Sequence, residues 1–299
     1  MEILNTELQK INSDLLSAYE ILSNHTESNN GLYEFTDKVR LSTLLFHHRR
    51  GLSLDIVTNY DIDINSILVN FLSENTNKKI ESLFTAKGRE NYSLAIYGKP
   101  DRKQEWGFSI DGPLLSLNFT IKGSEFSVVP MLIGNYNPHT TGDNVKDNPM
   151  ITEIGIPSDF MSMLDEEQLR KTLISNTSPT DLIYAYSDNL SIIPAGMPLT
   201  EINTQDQKFF LGMILSVYLH RLKPNMAKSF NNKLFSESTN NYKLAWKGGL
   251  KMEDKFYYSL SSKKMVIEFI KVNEGNSDVI TVMREKEYDY GIKFLNRDE

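Results

Sequence analysis

The strongest constraint on this chain is that one segment recurs 150 positions later (241 − 91 = 150). Residues 91–98 read NYSLAIYG and residues 241–248 read NYKLAWKG, so five of the eight positions are identical. The same register continues without a gap and places Phe119 over Phe269. A repeat of this length predicts two copies of one supersecondary unit, packed as a pseudo-symmetric pair.

In each copy, apolar residues at helical spacing come before the strands. In the first copy they predict helices over residues 62–73 and 78–87, separated by the polar residues 74–77. In the second copy they predict helices over residues 209–218 and 226–234. Each copy is therefore predicted to begin with a helical hairpin.

The strands are predicted from a regular alternation of apolar and polar side chains. Residues 115–121 carry apolar side chains at the odd positions and polar ones at the even positions. Residues 265–270 repeat the apolar row. We therefore predict an α+β fold: two repeated helical-hairpin plus antiparallel β-meander units in one pseudo-symmetric globule.

The repeat also predicts how the chain is divided. The first unit ends in a long loop rich in Gly, Asn and Pro, residues 134–157, and the second begins with a helix over residues 158–174, for which Ser158 is a plausible N-cap. The predicted parts are an N-terminal helix and linker, the first α+β unit with its loop, and the second α+β unit: residues 1–31, 32–157 and 158–299.

The composition argues against several classes of protein. A net charge of −7 and a pI near 5.4 argue against a nucleic-acid binder, because phosphate binding depends on Lys and Arg. The chain has no cysteine, which excludes disulfides, thiolate nucleophiles and cysteine-based metal sites. No apolar stretch approaches the ~20 residues of a membrane span, and the start lacks a signal-peptide pattern. We therefore expect a cytoplasmic protein with no membrane segment.

Several short motifs resemble one known family. Residues 106–118 read WGFSIDGPLLSLN and residues 130–138 read PMLIGNYNP. Further on, residues 256–258 read FYY and residues 266–269 read VIEF. The segment 284–291 begins with Arg284 and ends with Asp-Tyr-Gly. This series resembles the bacterial family called domain of unknown function 3500, whose central motif is typically Trp-Gly-x-x-x-x-Gly-His-His-Leu-Ser-Leu-Asn.

The chain departs from that family pattern at its histidines. The paired His of the motif correspond to Pro113 and Leu114, and a second segment that contains His-x-His corresponds to residues 277–280, which read SDVI. The resemblance implies a metal site for the family, since imidazole is a common metal ligand. Metal and cofactor are therefore unknown for this chain, and a rebuilt site would draw on His47, His48, His139 and Glu268.

The candidate catalytic residues are His139, Glu268, Asn118 and Arg284. His139 lies in the long loop, where an ordinary solvated histidine is the alternative. Glu268 and Asn118 occupy matching strand positions (268 − 118 = 150), so both could line one cavity between the halves; a solvent-facing Glu is the alternative. The resemblance adds candidate substrate-binding residues: Trp106, Asp111, Asn135, Tyr258 and Asp289.

The function expected from these observations is an enzyme that acts on a small molecule or peptide at a cleft between the two halves. A non-catalytic ligand-binding or accessory protein is the alternative, and an interaction module built on residues 134–157 is a third. The chain contains no Gly-x-Gly-x-x-Gly, Walker, His-Glu-x-x-His or Gly-x-Ser-x-Gly motif, so the reaction stays open. The expected partner is a small molecule or peptide, with neither nucleic acid nor membrane.

Overall fold

The computed structural model describes residues 54–58, 68–98, 104–123, 125–136, 148–185, 190–224, 226–228, 239–275 and 277–295. Several sequence predictions fall outside these ranges. They are the N-terminal helix, residues 62–67 of the first predicted helical hairpin, residues 229–234 of the second, residues 137–147 of the predicted loop, and the histidines His25, His47, His48 and His139.

The described strands form one large sheet. In chain order they are β1 (Leu54–Thr58), β2 (Ser93–Tyr97), β3 (Glu105–Gly112), β4 (Leu115–Lys122), β5 (Glu125–Ser127), β6 (Met131–Asn135), β7 (Leu173–Ser175), β8 (Met197–Pro198), β9 (Lys243–Gly248), β10 (Phe256–Ser261), β11 (Met265–Lys271) and β12 (Val279–Glu285). Their order across the sheet is β1-β2-β3-β4-β6-β12-β11-β10-β9-β7, with β5 beside β4 and β8 beside β9. Among the described strands, only the β7–β9 pair is parallel.

The first half of the chain contributes strands β1 to β6 and the second half contributes β7 to β12. The two halves meet where β6 pairs with β12, and we call this strand pair the seam. Five residue pairs join these strands, from Asn135 opposite Val279 to Met131 opposite Met283. The two halves therefore share one hydrogen-bonded sheet.

The described helices lie between and after these strands. They are α1 (Glu74–Lys87), α2 (Ile151–Ser162), α3 (Glu166–Thr172), α4 (Gln205–Leu219) and α5 (Ile292–Leu295). Helix α4 confirms the helix predicted over residues 209–218. Together with the sheet, the helices confirm a mixed α+β fold.

One predicted loop is wrong, because residues 74–77 form the first turn of α1. The Ser73 hydroxyl oxygen accepts a hydrogen bond from the Thr76 backbone N–H at 3.4 Å, so Ser73 caps the helix. Lys78 pairs with Glu74 at 2.7 Å one turn away. The polar residues that resembled a loop are therefore an N-terminal helical turn.

We expect Ser73→Ala to lower the free energy of unfolding by about 1 kcal/mol, because an N-cap is lost. Chemical denaturation monitored by circular dichroism measures the change. Thr85→Ala in the exposed part of the same helix is the matched control, and we expect it to change stability by less than about 0.5 kcal/mol. Equal losses in both variants would contradict the capping role.

The helix predicted over residues 158–174 is also wrong in its start and its length. Helix α2 begins at Ile151, and Ser158 lies inside it, where its hydroxyl donates to the Ile154 carbonyl at 3.1 Å. The chain leaves α2 after Ser162 and starts α3 behind a capping box at Asp165. The last part of the predicted loop is therefore helical.

Both faces of the central strands are buried. The apolar row of β4 packs with α1, α2 and α4 in the main core, so we call this side of the sheet the helix face. The polar row of β4, Ser116, Asn118 and Thr120, is buried on the opposite face. Ring pairs such as Phe108 with Phe119, whose centroids lie 4.4 Å apart, fill the helix face. In the described part of the chain, no helix is both long and apolar enough to cross a membrane.

Candidate functional site

A cluster of polar side chains is buried on the helix face where the two halves meet. We call it the junction cluster. Its members come from α1, α2, the end of α4, β10 and β12: the half-buried Lys79 and the buried Glu153, Tyr218, Arg221, Tyr258 and Thr281. The side chains of Glu153 and Arg221 are 0 % and 2 % exposed. Charged side chains this deep in a protein are rare unless they are paired or bind something.

Local structure explains how the two buried charges are held. Glu153 lies in the first turn of α2, where a helix favours a negative charge. Arg221 directly follows His220, the C-cap residue of α4, where a positive charge is favoured. The Arg221 carbonyl also accepts the Ser73 backbone N–H at 2.9 Å, which joins this turn to the start of α1.

Contacts within the cluster link residues far apart in the sequence. The Lys79 ammonium forms an ion pair with Glu153 Oε1. Arg221 Nη2 lies 3.9 Å from the same oxygen and donates to Thr281 Oγ1 at 2.6 Å. Because Thr281 is part of the seam, the cluster connects the helices directly to the sheet.

Two tyrosines form the other side of the cluster. The hydroxyl groups of Tyr218 and Tyr258 lie 2.5 Å apart, and the Tyr258 hydroxyl donates to the Glu153 backbone carbonyl at 3.3 Å. That carbonyl has no helical partner, because Pro157 four residues later lacks an N–H. Burial raises the pKa of both Tyr218 and Tyr258, so both hydroxyls stay neutral and able to donate.

Three polar atoms of the cluster are buried and have no hydrogen-bond partner among the residues that the structure describes. They are Glu153 Oε2 and the Nε and Nη1 atoms of Arg221. A buried polar atom left unpaired costs about 1–3 kcal/mol, so such atoms often mark a bound water or ligand. Burial lowers the pKa of Lys79, and Arg221 lowers it further, while Glu153 opposes the shift. The cluster therefore combines two donors and one acceptor that have no partner among the described residues with a lysine that gives up its proton more easily than usual.

The predicted site residue Glu268 lies on the opposite face and is fully buried. Its Oε1 accepts from the Ile183 backbone N–H at 2.8 Å and from the Tyr257 hydroxyl at 2.7 Å. Its Oε2 accepts from the Tyr184 N–H at 2.9 Å. Burial raises the pKa of Glu268, and these three hydrogen bonds oppose the increase.

Arg284 and Asp289, both predicted site residues, form a buried ion pair near Glu268. The guanidinium also donates to the carbonyl oxygens of Tyr184 at 2.5 Å and Ala185 at 3.3 Å. Glu268 and Arg284 therefore hold the same short segment, residues 183–185, from both sides. Anchoring this segment accounts for their contacts, and a catalytic role for either residue stays a prediction.

Asn118 and Asp111 are connected on the first half of the opposite face. Asn118 Nδ2 donates to the Pro130 carbonyl at 2.9 Å and to Ser116 Oγ at 3.1 Å. The Ser116 hydroxyl in turn donates to Asp111 Oδ1 at 2.6 Å. Asn118 Oδ1 is buried without a partner in the part of the chain that the structure describes.

Asn118 and Glu268 do not meet in a shared cavity. Across the seam, Ser116 faces Leu132, Leu132 faces Val282 and Val282 faces Glu268. Two apolar side chains therefore stand between the two halves on this face. Since β4 and β11 are separated by three strand spacings, Ser116 and Glu268 lie about 14 Å apart, and Asn118, two residues along β4 from Ser116, lies farther from Glu268.

The remaining predicted residues lie on the helix face. Trp106 is fully buried, and its Nε1 atom has no partner among the described residues. Asn135 ends β6 at the seam, and Tyr258 belongs to the junction cluster. Trp106 and Tyr258 are five strand spacings apart, about 24 Å, so the structure does not bring them together.

The two segments at which the resemblance implied histidines both lie against Gly134. The turn that contains Leu114 accepts the Gly134 backbone N–H at 2.7 Å, and a Cβ atom on Gly134 would lie 2.6 Å from the Val279 carbonyl. In this chain both sides of that contact are apolar, Leu114 and Val279. Among the residues that the structure describes, no three His, Cys, Asp or Glu side chains are grouped so that they could hold a metal ion.

Comparison with known families agrees with the motif resemblance. The model of the family described as protein of unknown function (DUF3500) matches residues 8–292. The chain belongs to this family. Searches of curated proteins and of solved structures found no match. DUF3500 membership thus extends over nearly the whole chain, while the chemistry has to be argued from the site itself.

Of the six members of the junction cluster, only Tyr258 was predicted as a site residue, and the other five were missed: Lys79, Glu153, Tyr218, Arg221 and Thr281. Lys79 is separated from Glu153 by 74 residues and Arg221 from Thr281 by 60, so no local motif connects them. One usable signal was present, because an apolar segment with Glu153 four residues before Pro157 indicates a helix with a free carbonyl.

Proposed function

We propose that this DUF3500 protein is an enzyme that acts on a small polar molecule at the junction cluster, where the two halves meet. The observation that carries the proposal is a set of three buried atoms, Glu153 Oε2 and Arg221 Nε and Nη1, for which the described part of the chain offers no hydrogen-bond partner. Two of them are donors and one is an acceptor. A ligand with both an acceptor and a donor group would satisfy all three.

We also infer that the two halves are repeated units related by a pseudo-twofold axis at this cluster. The strand order supports this inference, because β2-β3-β4-β6 is followed by β12-β11-β10-β9, the reverse order of the repeat-related strands. Leu72 and Leu222, which are 150 positions apart (222 − 72 = 150), pair with each other in an isolated bridge. A twofold axis through that bridge would exchange the two residues.

The chemistry of the cluster favours a small hydroxy acid or amino acid as the substrate. Arg221 would bind the carboxylate through its free N–H groups, since guanidinium is well suited to that partner. Glu153 Oε2 would accept from the hydroxyl or amino group. Lys79, whose pKa is lowered by burial, would then accept or donate a proton as the general acid–base.

The test measures binding of glycolate, lactate, glycine and alanine by thermal shift. We expect at least one probe to raise the melting temperature of the natural protein, because a ligand that binds only the folded state stabilises it. The shift should be absent in Arg221→Lys, which keeps the charge but lacks the guanidinium N–H groups. Arg170→Met on the exposed surface of α3 is the control and should keep the full shift.

A high-resolution crystal structure of the protein grown with the probe shows whether the probe or water contacts Arg221 and Glu153. Density for the probe at Arg221 and Glu153 would support the proposal. Ordered water alone at the three atoms, with no probe shifting the melting temperature, would overturn it.

A second candidate function is binding without catalysis. The observation that favours it is on the opposite face of the seam, where apolar side chains fill the space between the halves. These side chains are Leu132, Leu182, Ala185, Tyr257, Ile270 and Val282. A probe that binds the junction cluster and stays unchanged over days in nuclear magnetic resonance spectra would support this candidate over the enzyme.

A further inference from the structure

A concave surface rich in lysine lies at one end of the sheet, away from the junction cluster. We call it the lysine groove; its volume is about 520 Å³, and the described residues that line it are Lys263, Lys264, Lys286, Glu287, Ile292 and Lys293. A second cavity of about 400 Å³ shares Lys263 and adds Lys243, Pro194 and Asn241. The two cavities are therefore neighbours around Lys263.

The local charge is opposite to that of the whole protein. The chain carries a net charge of −7, yet in the groove four lysines surround a single carboxylate. Glu287 pairs with Lys264 at 2.8 Å and lies 3.7 Å from Lys293. Lys263 and Lys286 have no ion-pair partner among the residues that the structure describes. The described lining residues therefore carry a net charge of +3 (4 − 1 = 3), which attracts an anion.

The backbone that carries these lysines is well anchored. The buried Ser262 hydroxyl oxygen accepts the N–H groups of Lys264 and Met265 at 3.1 Å each. The Lys286 N–H donates to the Lys264 carbonyl at 2.7 Å, and the Lys293 N–H donates to the Glu287 carbonyl at 3.0 Å. The turn after β10, the end of β12 and α5 are thus held together, and the lysines project from a preformed frame.

We propose that the lysine groove binds the diphosphate group of a small molecule. Lysine ammonium groups act as point charges that suit compact, multiply charged phosphate, whereas a carboxylate is better matched by an arginine fork, and no arginine is among the described lining residues. The volume is that of a small-molecule pocket. Glu287 serves as an internal counter-ion that competes with the ligand for Lys264 and Lys293.

Isothermal titration calorimetry of the full chain with inorganic pyrophosphate tests the proposal. We expect Lys263→Gln combined with Lys286→Gln to weaken binding at least tenfold. We expect Glu287→Gln to tighten it several-fold, because the competing carboxylate is gone. Lys208→Gln combined with Lys251→Gln, which removes two exposed lysines elsewhere, is the control and should bind as the natural protein does.

The outcomes separate a built site from general attraction to positive charge. The proposal would be overturned if the Lys263→Gln/Lys286→Gln variant and the control variant lost the same pyrophosphate affinity, or if Glu287→Gln bound pyrophosphate more weakly. ADP measured beside pyrophosphate distinguishes two sources of the same group. Tighter binding of ADP points to a nucleotide, and equal binding points to free diphosphate. The groove and the junction cluster share no residue, so failure here would leave the proposed function untouched.

Discussion

Replacing Arg284 by methionine is expected to lower the free energy of unfolding by about 3–5 kcal/mol, because it leaves a buried carboxylate without its partner. Arg284 is fully buried, pairs with Asp289 and donates to two carbonyls of residues 183–185. Methionine has a similar length but no charge, so the change removes the polar contacts with little loss of volume. Urea denaturation followed by fluorescence measures the effect.

The matched control is a surface ion pair of the same sheet. Lys122 lies 2.7 Å from Glu105, and its side chain is 44 % exposed. Lys122→Met should therefore cost at most about 1 kcal/mol. A double variant, Arg284→Met with Asp289→Asn, should recover part of the loss, since the carboxylate that faced Arg284 no longer carries a charge. If Arg284→Met costs no more than Lys122→Met, the pair is not the anchor that the structure indicates.

Glu285→Gln is expected to stabilise the protein at pH 8 and to have little effect at pH 4. Burial raises the pKa of Glu285 to about 7 from its ordinary value of 4.5, and the charges of Glu287 and Asp289 act in the same direction. The Tyr288 backbone N–H, which donates to Glu285 Oε2 at 2.7 Å, opposes the increase. Glutamine keeps an acceptor for that N–H without the charge.

The direction of the pH effect follows from proton counting. With the raised pKa, the folded state holds more protons than the unfolded state between pH 4.5 and about 7. Stability contributed by this residue is therefore complete below pH 4.5 and is lost as the pH rises through that window. The loss amounts to about 3 kcal/mol at most, at 1.4 kcal/mol for each pKa unit. The difference between the natural protein and Glu285→Gln should grow over the same window.

Unfolding free energies measured from pH 4 to pH 8 check this expectation. Glu166→Gln on the exposed first turn of α3 is the control and should stay within about 0.5 kcal/mol of the natural protein at every pH. A difference between Glu285→Gln and the natural protein that does not change with pH would contradict a buried, raised-pKa carboxyl.

Strands were predictable wherever their pattern is local. The alternation in residues 115–121 and 265–270 predicted β4 and β11, because the side chains of a strand alternate between its two faces and this pattern can be recognised within a few consecutive residues. The start of α2 was missed because its Gly155, Pro157 and Ser158 are typical of loops. Tertiary contacts, such as the hydrogen bond from Tyr258 to the Glu153 carbonyl, help to stabilise the helix there.

The site was less predictable, because it depends on which strands become neighbours. Matching positions in a repeat indicated that Asn118 and Glu268 are equivalent, but not that Leu132 and Val282 lie between them. The residues that do converge, Glu153 and Arg221, come from a helix start and a helix end. Glu153 lay in the predicted loop and Arg221 lay beyond the helix predicted over residues 209–218, so no pattern in the sequence indicated that they come together.

The seam between β6 and β12 has a consequence for biosynthesis. Strand β6 ends at Asn135 and β12 begins at Val279, 144 residues later (279 − 135 = 144). At a synthesis rate of about 5–20 residues per second, roughly 7–30 seconds pass between the synthesis of β6 and the synthesis of β12, its second neighbour in the sheet. During that time its free edge can pair with another nascent chain. The yield of folded protein should therefore depend on the speed of translation between these two strands and on chaperones that cover the waiting edge.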